Sequence, residues 1–143
     1  MSYTTLDNLK STEPEAQIIQ LTDDANTGAV VTAVANDAMT KADGLIDSYL
    51  RGHITLPLPQ PYPTIVVQIA TELAICNLYV RRFGSNLPDS ILTRQKWAEG
   101  KLKEIVAGKI VISDDEEVQS ASGNVSARTL NRIFTRDILD TFR

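Results

Sequence analysis

The sequence predicts a mainly α-helical fold: a small helical domain with two long core helices joined by a proline-rich extended connector. Three observations predict it. Apolar residues recur at helical spacing over 30–51, 64–83 and 89–107. Pro57, Pro59, Pro61 and Pro63 crowd the gap between the first two runs. Gly52, Gly84 and Gly108 each stand where a run stops, as helix C-terminal caps do. The chain then divides into a helical domain at 1–112, a flexible acidic and serine-rich linker at 113–127, and a C-terminal arm at 128–143.

The opening "TTLDNLKSTEPEAQIIQLTDD" reads as two short helices. Thr4 or Thr5 caps the first and turns Leu6 and Leu9 inward. Pro14 suits the first turn of the second, where its missing N–H is no loss, and Ile18, Ile19 and Leu21 are its buried residues. Asp23, Asp24, Asn26 and Gly28 invite a calcium-loop reading, but the third, fifth and twelfth positions counted from Asp23 are Ala25, Thr27 and Val34. A turn with a helix cap fits the same residues better.

Residues 30–51 form the clearest helix. Val31, Val34, Ala35, Ala38, Ala42, Leu45, Ile46 and Tyr49 make one apolar stripe, and Asp37, Lys41, Ser48 and Arg51 lie opposite. In "HITLPLPQPYP", residues 53–63, the prolines hold the backbone extended, with one strand turn at Ile54–Leu56. Residues 64–83 are apolar nearly all round, which marks a central helix; Ile65, Val66, Ile69, Ala70, Leu73, Ala74, Cys76, Leu78, Tyr79 and Val80 carry that character. Gln68, Thr71, Glu72 and Asn77 make the segment too polar, and its apolar run too short, for a membrane span. Arg81 and Arg82 suit its C-terminal dipole. In the helix at 89–107, Asp89 or Ser90 caps the start. Ile91, Leu92, Gln95, Trp97, Ala98, Leu102, Ile105 and Val106 face inward. "KIVIS", residues 109–113, is a short extended piece.

Composition limits the function classes. Hydrophobic residues make up 43% and charged residues 22% of 143, an ordinary globular balance. A single cysteine, Cys76, rules out an internal disulfide and fits a reducing compartment. "MSYTTLDNLK" has no basic region leading into an apolar run, so no signal peptide is expected. Net charge is −4, in blocks: −6 over 1–50, +4 over 51–110, −4 over 111–127 and +2 over 128–143. Such blocks are either solvated helix faces or surfaces suited to stacking on copies of the chain.

Chemistry-bearing motifs are sparse. His53 is the only histidine and sits in the connector, so a nucleophile–histidine arrangement would have to use it. Cys76 falls on the central apolar helix, where a thiol is a packing group. One Cys and one His cannot make a zinc cluster, and the glycines are scattered rather than grouped into a phosphate loop. Asp43 and Asp47 share a helix flank. They read either as partners of Arg51, Arg81 or Arg82, or, with Glu72, as the carboxylates of a metal-dependent enzyme. Arg81, Arg82, Arg94, Lys96, Lys101 and Lys103 would serve a DNA-binding accessory protein. Neither catalysis, cofactor nor metal is expected.

The phrase "IDSYLRGHITLPLP", residues 46–59, resembles the hallmark of the Mu-like phage and prophage neck proteins, a family of head-completion or head–tail connector proteins. "LTDDANTG", "PTIVVQIATELAICNLYVRR", "WAEGK" and "RIFTRDILDTF" follow the family's order from Thr5 to Phe142. Two phrases depart from it: His53–Ile54 stands where members have Arg-Tyr, and "KSTEPEAQIIQLTDD" lacks the usual "FG". The resemblance implies a structural virion protein that forms a homo-oligomeric ring, dodecameric in the virion. It would bind the portal protein and the next neck or tail-terminator protein, with DNA contact at most weak and no membrane. It would occupy the host cytoplasm during assembly and the virion neck afterwards. Asp47, Tyr49, Leu50, Gly52, Leu56, Pro57 and Leu58 are the signature positions. Leu130, Arg132, Ile133, Phe134, Arg136, Ile138, Leu139 and Phe142 would form a partner-binding arm. The bland alternative is a last helix folded back on its own core.

Overall fold

The computed structural model describes residues 2–112. They form five helices: α1 (Leu6–Thr12), α2 (Glu15–Thr22), α3 (Thr32–Leu50), α4 (Thr64–Phe83) and α5 (Asp89–Val106). The predicted linker and arm, 113–143, lie outside the described residues.

α4 is the centre. It packs against each of the other four helices, most extensively α3 and α5. Val66, Ile69, Ala70, Ala74, Ile75 and Leu78 on it are completely buried. Side chains buried on several sides of one helix explain why its sequence lacks a polar face. The apolar core continues through Leu9, Ile18, Leu21, Ile46, Leu50 and Leu102. At 20 residues and mean hydropathy 1.2, α4 is long and apolar enough to cross a membrane by length and composition alone, so the expectation that it is too short and too polar does not hold. Most of its apolar side chains are instead covered by its neighbours, Val80 and Phe83 excepted.

Local chemistry sets the helix ends. The Thr5 hydroxyl accepts the Asn8 N–H at 3.3 Å and caps α1. Thr4 turns inward and shares a 2.7 Å hydrogen bond with Thr71 of α4. Pro14 stands one residue before α2, as its N-cap. Asp23 ends α2, and its carboxylate takes the Gly28 N–H at 2.7 Å and the Thr27 hydroxyl at 3.1 Å, which makes the 23–28 segment a turn. Gly52, Gly84 and Gly108 all have positive φ where α3, α4 and α5 stop.

Several expectations need correction. Neither Asp89 nor Ser90 caps α5. The cap residue is Pro88, which has no side-chain donor or acceptor, and Asp89 already lies in the first turn. Val31 holds the corresponding place before α3, where its N–H is met by the Thr22 hydroxyl at 3.2 Å. Leu45, Val80 and Leu92 were expected inside but are exposed, at 37%, 45% and 37%. Ile19 is only half-buried, whereas Met39, Leu50 and Ile75 are buried without having been expected to be. The connector forms no strand among the described residues. It holds a single bridge, Arg51 to Ile54, and its Leu56–Pro57 and Gln60–Pro61 peptide bonds are cis.

Candidate functional site

The signature phrase 46–59 builds a corner. Leu50, completely buried, ends α3, and its carbonyl accepts the His53 N–H at 3.0 Å and the Ile54 N–H at 3.1 Å. That reversal requires Gly52 at φ 88°, a conformation costly for a residue with a Cβ. Beyond it Leu58 is buried and Ile54 and Leu56 pack against the core, while Pro57 is exposed. Tyr49 is half-buried on the same core. The corner thus fixes how α3 hands the chain to α4.

Asp43 and Asp47 face this corner, but among the described residues no arginine pairs with them. Tyr3 does. Its backbone N–H donates to Asp43 at 3.0 Å, and its hydroxyl donates to Asp47. The Tyr3 ring stands edge-on to Tyr62 of the connector, centroids 4.9 Å apart. Burial, then the hydrogen bond to Asp47, raises the Tyr3 phenol well above its ordinary pKa. The N-terminal residues therefore strap α3, the connector and α4 together. Glu72 lies elsewhere, bonded to Arg94, and no group of three or more metal-ligating side chains occurs among the described residues.

Arg94 of α5 holds two carboxylates at once, Glu13 between α1 and α2 and Glu72 on α4. Its guanidinium fork suits that bridging. Arg81 and Arg82 both pair with Asp24, and Arg81 also donates to the Leu21 carbonyl at 3.1 Å. Lys101 pairs with Glu104 at 2.8 Å. Four of the six cations assigned to a DNA surface are thus committed to carboxylates of their own chain. Cys76 is buried, its thiol donating to the Ile91 carbonyl at 3.6 Å, and burial pushes its pKa up to about 11. A thiol held protonated in this way is a poor nucleophile.

Open clefts occur on the surface of the described residues. One, of about 420 Å³, lies between α2 and the end of α4, beside Ile19, Asp23, Arg82 and the exposed Phe83. Another, of about 260 Å³, lies over Glu72, Arg94 and Trp97.

A family model described as "Bacteriophage Mu, Gp36" matches residues 3–129. The chain belongs to the phage Mu Gp36 family. Among curated proteins, none matches the chain. The Gp36 match begins at Tyr3, the strap residue, and takes in the whole signature corner. The arm residues Leu130, Arg132, Ile133, Phe134, Arg136, Ile138, Leu139 and Phe142 lie beyond the match and outside the described residues. Sequence reading missed both the Tyr3 strap and the Arg94 bridge. Their partners sit 40 and 44 residues away for Tyr3, and 22 and 81 for Arg94, so no local pattern announces them.

Proposed function

We propose that this Gp36-family protein is a structural head–tail connector, joining the portal vertex to the tail of a tailed phage or prophage, and not an enzyme. The observation that supports the reading is a phage-family match over 3–129, beside the resemblance of the chain's phrases to those of neck proteins. In this reading the helical domain forms a homo-oligomeric ring. The arm at 128–143 docks through Leu130, Ile133, Phe134, Ile138 and Phe142 on a neighbouring subunit, the portal or the next neck protein. Wound as a helix, the sequence would place these residues on one stripe and Arg132, Arg136 and Asp140 off it. The protein gathers in the host cytoplasm and ends in the virion neck. Internal pairing of the cations supports this over a DNA-binding role, which needs free Lys and Arg.

Light scattering over a range of concentrations tests it, on the full chain and on a truncation after Ser113. A closed ring from the full chain, and a smaller species from the truncation, is the expected result. Monomers from both at every concentration would overturn the self-assembling ring.

A further inference from the structure

We draw no further inference here: the strongest candidate, the open cleft between α2 and the end of α4 beside Ile19 and the exposed Phe83, is lined by charged side chains already bonded within their own chain, Asp23 to Gly28 and Arg82 to Asp24, and nothing in the structure shows what covers its apolar side.

Discussion

Arg94 is the side chain whose loss should cost most outside the apolar core. It bridges Glu13 and Glu72 while only 23% exposed, and its partners are 16% exposed. Arg94→Met leaves two half-buried carboxylates facing each other, and urea denaturation should show a loss of roughly 2–3 kcal/mol, below the range for fully buried pairs. Arg94→Lys keeps the charge but not the fork, and should recover only part of that loss. Alkaline pH tests the strap. Burial, followed by the Asp47 hydrogen bond, raises the folded Tyr3 pKa, so folding favours the protonated phenol. Its contribution is complete below the unfolded value of about 10 and is lost as pH rises toward the folded value. Tyr79 and Cys76, both raised by burial, act in the same direction. Thermal melts should fall above about pH 9–10, and Tyr3→Phe should be less stable at neutral pH with a flatter alkaline limb. Asp23 and Asp24 act oppositely. Backbone hydrogen bonding at Thr27 lowers the first and the Arg81 hydrogen bond the second, so their stabilisation is present above the ordinary carboxylate range and disappears as pH falls through the folded values.

At the level of elements, two glycines should answer the same substitution with opposite signs. Gly52→Ala forces a Cβ into φ 88° at the end of α3 and should destabilise by about 1 kcal/mol. Gly44→Ala, in regular helix with open space around it, should stabilise by about 0.5–1 kcal/mol in the same denaturation assay. The contrast shows what the sequence made legible. Both residues are glycine, yet Gly52 follows the end of an apolar stripe and Gly44 lies opposite one, so periodicity alone separates cap from interior. Periodicity placed α4 at its observed bounds, Thr64–Phe83, because burial on several sides leaves an unbroken apolar signature. It failed where no side chain makes the cap: Pro88 begins α5 and Val31 begins α3 without a side-chain hydrogen bond. It also failed at Val80 and Leu92, whose apolar character matched the pattern although no neighbour covers them. The carboxylate pair Asp43 and Asp47 was visible as a pair, but its partner was not, because Tyr3 reaches it from the far end of the chain.

At the level of the whole molecule, four helices converge on α4 among the described residues, and Ile75 there is completely buried. Ile75→Ala should cost about 2–5 kcal/mol, read from the denaturation midpoint at unchanged slope. The account's central claim is that this Gp36-family protein joins head to tail, and electron microscopy of lysates from a phage lacking its gene tests that most directly. DNA-filled heads and separate tails that fail to join, restored to whole virions when the gene is supplied in trans, is the predicted result. Intact virions in normal numbers without the gene would contradict it.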